Sequence, residues 1–317
     1  MKPSPTLRAH PDCPTLRTRG CGCALHSRRL FTGGLLACGA LLAWPAWARE
    51  GVDVGERSSF TKFVSADQIE QAAGQQYRQM QQQASQKQAL APADHPQVVR
   101  LRTIAQRLIP YTYEWNDRAR DWRWEVNLIG SQQINAFCMP GGKIAFYYGI
   151  LDKLKLTDDE VAMIMGHEMT HALREHARER MGKTMATRGA IEIGAARLGL
   201  GNGGRLAADM GGQLLTLQFS RDDESEADLV GMELAARAGY DPRAGVTLWQ
   251  KMAAASQGAP PQFMSTHPSG PTRIKDIEKS LPLVEPLYAR AARPAQRFGP
   301  PVASAPKPAA APTGNGG

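Results

Sequence analysis

A short histidine motif on a helix constrains this 317-residue chain more than any other feature of its sequence. The motif is HEMTH at 167–171, and it follows a capping-box pattern in which Thr157 and Glu160 can each satisfy a backbone amide of the other. Residues at i and i+4 of a helix lie one turn apart on the same face, so both imidazoles of the motif can reach one metal ion. Glu168 then lies beside them. The segment predicts a helix that begins at Thr157, runs to about Met181 and carries a metal-binding face.

A metal site with an open position for water needs a third protein ligand besides His167 and His171. The metzincin pattern would place a glycine three residues, and a histidine six residues, after the second histidine, but this chain has Arg174 and Ala177 there. His176 follows His171 by five residues, about 140° around a continuous helix. We therefore predict that His176 has a supporting or surface position and is not a ligand.

The acidic segment 220–228 offers the missing ligand. Glu224 and Asp228 are four residues apart in a region where a long helix is expected from about 205 to 238. If Glu224 faces the metal, Asp228 lies on the same face and can accept a hydrogen bond from the free ring N–H of a ligand histidine. Taken alone, the segment could equally be an acidic, solvated helix face.

Together these segments resemble the gluzincin peptidases of the HtpX and CAAX-prenyl-endopeptidase type, and especially their soluble periplasmic LoiP- and BepA-like members. The matching segments, within about residues 60–285, are Asn135-Ala136-Phe137 with Gly141-Gly142, then 167–176, 220–228, and His267-Pro268 with Arg273. The resemblance implies a zincin-type domain with one zinc ion per chain, bound by His167, His171 and Glu224. It also implies that Glu168 is the general base that activates a zinc-bound water.

Two further site predictions concern His267 and a substrate-binding strand. His267 is expected to stabilise the oxyanion. The alternatives are that it binds the zinc in a resting state, as a switch, or that it caps a helix beginning near Pro271. Asn135, Ala136 and Phe137 resemble the family's substrate-side edge strand, to which an extended peptide would add through main-chain hydrogen bonds. The alternative is that Phe137 and Ile144 belong to the core.

Periodicity elsewhere predicts a mostly helical fold with a small antiparallel β-sheet, of the α+β class. Amphipathic helices are expected at 66–90 and 97–109, before three strands around 122–128, 134–138 and 143–148. Further helices are expected at 184–198, after Asp241-Pro242 and after Pro271, with a glycine-rich loop at 199–204.

The first 48 residues have the pattern of an export signal, with an arginine pair at 28–29, an apolar stretch and a small-residue cleavage site at 45–48. The pattern is compatible with export by either the twin-arginine or the Sec route. The segment 35–38 also resembles a lipobox, which would make the protein a lipoprotein associated with a membrane through Cys38. Removing the signal leaves a net charge of +3 and one cysteine, Cys138. We therefore expect no nucleic-acid partner and no intramolecular disulfide.

These observations predict one peptidase domain at about 49–290, with N-terminal helices at about 66–109 and a catalytic core at about 120–285. An Ala/Pro/Gly-rich tail at 291–317 is expected to be disordered. The predicted function is that of a zinc-dependent endopeptidase of the bacterial cell envelope. It would act in the periplasm in protein quality control and cleave unfolded, misfolded or mis-assembled envelope proteins. The alternative is a periplasmic chaperone or assembly factor with a latched, weakly proteolytic zinc site.

Overall fold

The structure, a computed structural model, describes residues 49–197, 214, 218–256, 261–267 and 272–302. The predicted export signal at 1–48 and the glycine-rich loop at 199–204 lie outside these residues. The described residues belong to one compact unit that begins at Arg49. Within them, the helices are too short or too polar to cross a membrane.

Two amphipathic helices precede the sheet, as the sequence predicts. Helix α1 spans Ala66–Gln86, and the Ser65 side chain caps its first turn. Helix α2 spans Pro96–Leu108 and begins with a proline, which needs no hydrogen-bonded N–H at that position. The apolar side of α2 is buried, including Leu101 and Leu108, so α2 contributes directly to the core.

Three short strands form a mixed sheet, so the prediction of an antiparallel sheet is corrected in one respect. The strands are β1 (Glu125–Ile129), β2 (Ala136–Met139) and β3 (Lys143–Tyr147), in the order β1-β3-β2. β3 is antiparallel to β2 and parallel to β1. The alternation of apolar residues determines which side chains face the core, but it carries no information on which strands are neighbours.

The helix that carries the histidine motif is central to the fold and shorter than predicted. β3 leads into a short helix, α3 (Tyr148–Lys153), and α4 (Asp158–Leu173) then begins at the predicted capping box. Helix α4 ends at Leu173, and Glu175 then adopts a left-handed conformation with φ of 62°. A new helix, α5 (His176–Arg197), starts at once, which corrects the prediction of one helix to Met181.

The remaining described helices are α6 (Arg221–Arg237), α7 (Ala244–Ala255), α8 (Gln262–Thr266) and α9 (Arg273–Arg290). Of these, α6 and α7 pack against α4, and α9 packs against α6 and α7. The helix predicted from about 205 begins only at Arg221 in the described residues, since Ser220 and Asp223 form a capping box there. Helices α2, α6 and α7 and strand β2 all lie against α4, so nearly every residue of α4 is buried. The mostly helical class with a small sheet is confirmed.

Residues 291–302 are ordered against the fold, so the predicted disordered tail begins too early. The backbone amides of Phe298 and Gly299 donate to the Asp158 carboxylate at 2.7 and 3.2 Å. The segment is poor in large apolar side chains, which is why its composition predicts disorder. Its contacts with Asp158 are made by backbone amides, which every residue except proline has.

Candidate metal centre

Helices α4 and α6 cross at a pair of glycines, which brings two acidic residues beside the histidine motif. A Cβ atom on Gly166 would lie 2.7 Å from the carbonyl oxygen of Gly231, and a Cβ on Gly231 would lie 2.7 Å from the amide nitrogen of His167. Only glycine permits backbones to approach so closely. Asp228 and Glu224 lie about one and two turns before Gly231, which places both carboxylates near His167.

Four buried side chains meet at this crossing: His167, His171, Glu224 and His267. One potential ligand atom from each lies within 4.8 Å of the others. Nε2 of His171 is 3.1 Å from Nε2 of His167, and 3.5 Å from Oε1 of Glu224. The three residues predicted to bind zinc are therefore brought together, and His267 joins them as a fourth.

The chemistry of this cluster fits a divalent metal ion. Imidazole nitrogens with one carboxylate are the donor set that zinc sites of hydrolases use. Glu168 supplies a second sign, because its Oε1 atom is buried and makes no hydrogen bond with the described residues. That atom is 3.4 Å from Nε2 of His267, so it faces the cluster. Burial raises the pKa of Glu168 above its usual value.

Asp228 and Arg273 orient the ligands from outside the cluster. Oδ1 of Asp228 lies 3.0 Å from Nδ1 of His167, the contact that the sequence predicts. Arg273 donates from Nε to Asp228 at 2.7 Å and from Nη1 to Glu224 at 2.8 Å. Its guanidinium lies 3.4 Å from the ring centroid of Trp249. Arg273 thus holds both Glu224, a predicted ligand, and Asp228, which contacts the predicted ligand His167.

The two motif histidines have opposite tendencies to bind a proton. Burial would lower the pKa of His167, but hydrogen bonds to Asp228 and Glu224 outweigh it and raise the pKa to about 9. Burial lowers the pKa of His171 well below its usual value. Burial would raise the pKa of Glu224, but the charges of His267 and His167 bring it well below its usual range. In the metal-free protein at neutral pH, His167 is therefore protonated and His171 is neutral.

His267 is the predicted site residue whose position says most about its role. Its Nδ1 atom is 2.9 Å from Oε1 of Glu224 and 3.3 Å from Nε2 of His167. The ring of Phe263 stacks on it with centroids 4.4 Å apart. The suggestion that His267 caps the following helix is wrong, because Thr272 occupies the cap position of α9.

A narrow cleft with a volume of about 40 Å³ lies beside Glu168 and is lined by the predicted substrate strand. Asn135, Ala136 and Phe137 all contribute to its wall, although Asn135 precedes β2 and is not part of it. β2 pairs with β3 along one edge, and no strand of the described residues pairs with its other edge. Phe137 is half-buried and also contacts the rings of Tyr77 and Tyr147, so it contributes to the core as well.

Two further residues contact His171: Phe219, which the sequence analysis did not single out, and His176, for which it left a supporting or a surface position open. The ring of Phe219 stacks on the imidazole of His171 with centroids 3.8 Å apart. Nδ1 of His176 lies 2.9 Å from Nδ1 of His171. The estimate of about 140° for His176 assumed a continuous helix. The helix is interrupted at Glu175, so His176 does not have the position that a continuous helix would give it. The sequence analysis predicted no interruption there.

The sequence of residues 95–281 matches Peptidase family M48. The chain belongs to this family. The match contains the histidine motif, Glu224, His267 and Arg273, so the site lies within the part that defines the family. The fold and family that the sequence motifs imply are thereby confirmed.

Named relatives of this chain are metallopeptidases from bacteria and mitochondria. The mitochondrial metalloendopeptidase OMA1 of Schizosaccharomyces pombe is 33% identical over 235 residues, which are 74% of this chain and 66% of that protein. Metalloprotease LoiP of Escherichia coli is 30% identical over 204 residues, 63% of this chain and 77% of LoiP. The Beta-barrel assembly-enhancing protease of Yersinia pestis is 28% identical over 171 residues, 50% of this chain and 35% of that protein. This chain thus spans less than two thirds of the length of the OMA1 proteins and more than two thirds of LoiP.

Proposed function

We propose that this chain is a zinc-dependent endopeptidase in which His167, His171 and Glu224 hold one zinc ion and Glu168 is the general base. The observation that carries the proposal is the convergence of these buried groups at the crossing of α4 and α6, where Oε1 of Glu168 has no hydrogen-bond partner among the described residues. Membership of Peptidase family M48 supports the same conclusion.

Each residue of the site has a distinct part in peptide hydrolysis. Zinc, when bound, supplies Lewis-acid chemistry that polarises the scissile carbonyl and makes water a better nucleophile. Glu168 accepts a proton on Oε1 and later donates it to the leaving amine, and its raised pKa suits both directions of transfer. Asp228 holds His167 through Nδ1, so Nε2 is directed toward the cluster.

The substrate that best fits the cleft is an extended segment of an unfolded protein. An edge strand such as β2 offers unpaired main-chain groups, and a peptide can add to it as a further strand. Main-chain hydrogen bonds do not depend on the substrate side chains, so this mode suits broad sequence preference. Unfolded or mis-assembled proteins expose such segments, whereas folded proteins do not.

The proposed setting is the periplasm of the bacterial envelope. It rests on the export-signal pattern at 1–48 and on similarity to LoiP of Escherichia coli and to a protease whose name refers to β-barrel assembly. Lipidation of Cys38, and with it a membrane anchor, is the alternative form of the same setting. Similarity to the mitochondrial OMA1 proteins supports the activity and says nothing in favour of this compartment.

A second candidate function is that of a chaperone or assembly factor with a latched zinc site. The position of His267 favours it, because Nδ1 lies among the potential ligand atoms. A fourth protein ligand would occupy the position that a hydrolytic site keeps open. In this state the protein would bind unfolded clients and cleave them slowly.

The test of the endopeptidase is to measure zinc content and casein cleavage for the purified chain and its Glu168→Gln variant. We expect one zinc ion in both and a loss of cleavage of at least about 100-fold in the variant, because Gln accepts no proton. Glu278→Gln is the matched control, since Glu278 is exposed on α9. Absence of zinc from the parent chain would contradict the ligand assignment. If the parent chain binds zinc but does not cleave casein, and His267→Ala does cleave it, the result would favour the latched site.

A further inference from the structure

His176 is buried against a proposed metal ligand, which is the supporting position and not the surface position that the sequence also left open. Its side chain is about 1% exposed, and its Nδ1 atom lies 2.9 Å from Nδ1 of His171. Nε2 of His171, the other ring nitrogen, is the one that faces His167 and Glu224. The two nitrogens of His171 therefore have separate partners, the cluster on one side and His176 on the other.

The backbone accepts an unfavourable conformation to bring His176 there. Glu175 has a positive φ of 62°, a left-handed conformation that is unfavourable for a residue with a Cβ atom. The break is fixed from both sides. The Asn116 side chain donates to the carbonyl of Leu173 at 2.9 Å, and the Glu175 carboxylate accepts from Arg178 at 2.8 Å.

Metal binding through Nε2 would fix the tautomer of His171 and, with it, the donor and the acceptor of this contact. A neutral imidazole that binds a metal through Nε2 must carry its proton on Nδ1. Nδ1 of His171 is then the donor and Nδ1 of His176 the acceptor. His176 must in turn carry its own proton on Nε2, which is buried 3.4 Å from Oε2 of Glu226 but makes no hydrogen bond with the described residues. Glu226 is also paired with Arg174.

Each motif histidine has a partner at its Nδ1 atom, but the two partners differ. Nδ1 of His167 contacts the Asp228 carboxylate directly, and Arg273 holds that carboxylate. Nδ1 of His171 contacts the ring of His176, which separates it from the Glu226–Arg174 pair and makes no hydrogen bond to that pair. Outer partners of this kind fix the orientation and tautomer of ligand histidines and strengthen metal binding.

We infer that His176 is a positioning residue of the metal centre, which holds His171 with Nε2 directed toward the metal by accepting a hydrogen bond from its Nδ1–H. This inference rests on the proposed zinc site. His176 is not one of the clustered potential ligands, so its effect would pass through the contact between its Nδ1 acceptor and His171.

The test compares zinc affinity, measured by competition with a chromophoric chelator, for the full chain and three variants. His176→Phe keeps the ring and removes the acceptor, so we expect zinc affinity to fall roughly 10- to 100-fold. His176→Asn can present Oδ1 near the position of Nδ1, and it should restore affinity to within a few-fold of the parent. His176→Gln is the matched control, because its amide reaches the position of Nε2, and it should bind zinc about as weakly as the Phe variant.

Thermal unfolding of the metal-free variants separates positioning from packing. We expect the Asn and Gln variants to unfold at similar temperatures while their zinc affinities differ. Parent-like zinc affinity in His176→Phe would overturn the inference, as would equal affinities in Asn and Gln. If the Phe variant does not fold, the Asn and Gln pair decides the question. Zinc binding by the parent without cleavage would contradict the proposed activity and leave the role of His176 intact, whereas absence of zinc from the parent would overturn both.

Discussion

At the scale of single residues, the site is determined by the hydrogen-bond partners outside it as much as by the ligands. Burying a histidine or a carboxylate is costly unless a partner satisfies it. Arg273 provides such a partner for both Glu224 and Asp228 and is itself stacked on Trp249. Burial would lower the pKa of Arg273, but the charge of Asp228 raises it, so the arginine remains charged within the site.

The pKa of His167 leads to a prediction about zinc binding. In the metal-free protein this pKa is raised to about 9, so His167 is protonated at pH 7.5. A metal ligand must be neutral, and binding at that pH should therefore release about one proton from the site. The release should decline as the pH rises through about 9, because the free protein has by then lost the proton.

Calorimetry of zinc binding in buffers of different ionisation enthalpy measures this release. The matched control is Asp228→Asn, which removes the carboxylate nearest to Nδ1 of His167 and should reduce the proton release at pH 7.5. Zinc binding by the parent with no buffer dependence at pH 7.5 would contradict the protonation state that we assign to His167.

At the scale of elements, the crossing of α4 and α6 is the contact that assembles the site. His167 lies on one helix, and Glu224 and Asp228 lie on the other. Their distances depend on how closely the two backbones approach. That approach depends on Gly166 and Gly231, where even a methyl group would overlap main-chain atoms of the facing helix.

Gly231→Ala should therefore destabilise the protein and weaken the metal site together. Its Cβ would lie 2.7 and 2.9 Å from backbone atoms of His167 and Gly166, which cannot move aside as a side chain could. We expect a loss of about 1–3 kcal/mol in the free energy of unfolding, as for overpacked cores, and a lower zinc affinity. Urea denaturation of the metal-free protein and chelator competition measure the two effects.

Gly74→Ala is the control for this substitution, because Gly74 lies within α1 and its Cβ would meet only Nη1 of Arg78, at 3.5 Å. Alanine there should raise stability by roughly 0.5–1 kcal/mol, since glycine is unfavourable in a helix interior. Equal stability of the two variants would show that α4 and α6 can separate at no cost.

At the scale of the whole molecule, both ends of the described chain are attached to buried carboxylates. The Glu233 side chain is fully buried and accepts hydrogen bonds from Arg49 at 2.5 Å and from the amide of Val52 at 2.7 Å. Asp158, at the start of α4, accepts from Phe298 and from the fully buried Arg100. The second contact connects the C-terminal segment to the helix that carries the histidine motif.

Truncation at two positions tests the contribution of that segment. A chain that stops after residue 294 loses the amides that bind Asp158, whereas a chain that stops after residue 302 retains them. Loss of hydrogen bonds to a buried carboxylate lowers the free energy of unfolding by about 1–3 kcal/mol. The shorter chain should therefore unfold at a temperature roughly 2–10 °C lower than the longer one. Equal unfolding temperatures would mean that residues 295–302 add nothing to stability, as the sequence composition alone suggests.

The sequence predicted the parts of this protein that depend on neighbours within one helical turn. The spacing of His167 and His171, the capping box at Thr157 and the pairing of Glu224 with Asp228 are all patterns of three or four residues. The structure contains the capping box. It also places the two histidines, Glu224 and Asp228 in one site. The family resemblance added the expectation that distant motifs meet.

Only the tertiary structure decided the order of the strands, the end of α4 and the position of His176. Each depends on contacts between residues far apart in the chain. Asn116, for example, binds the carbonyl of Leu173 at the helix break, 57 residues away, and Phe298 binds Asp158 across 140 residues. Local periodicity determines which face of a helix or strand is apolar. It does not determine which distant group satisfies a freed carbonyl or carboxylate, because that choice is made when the elements pack together.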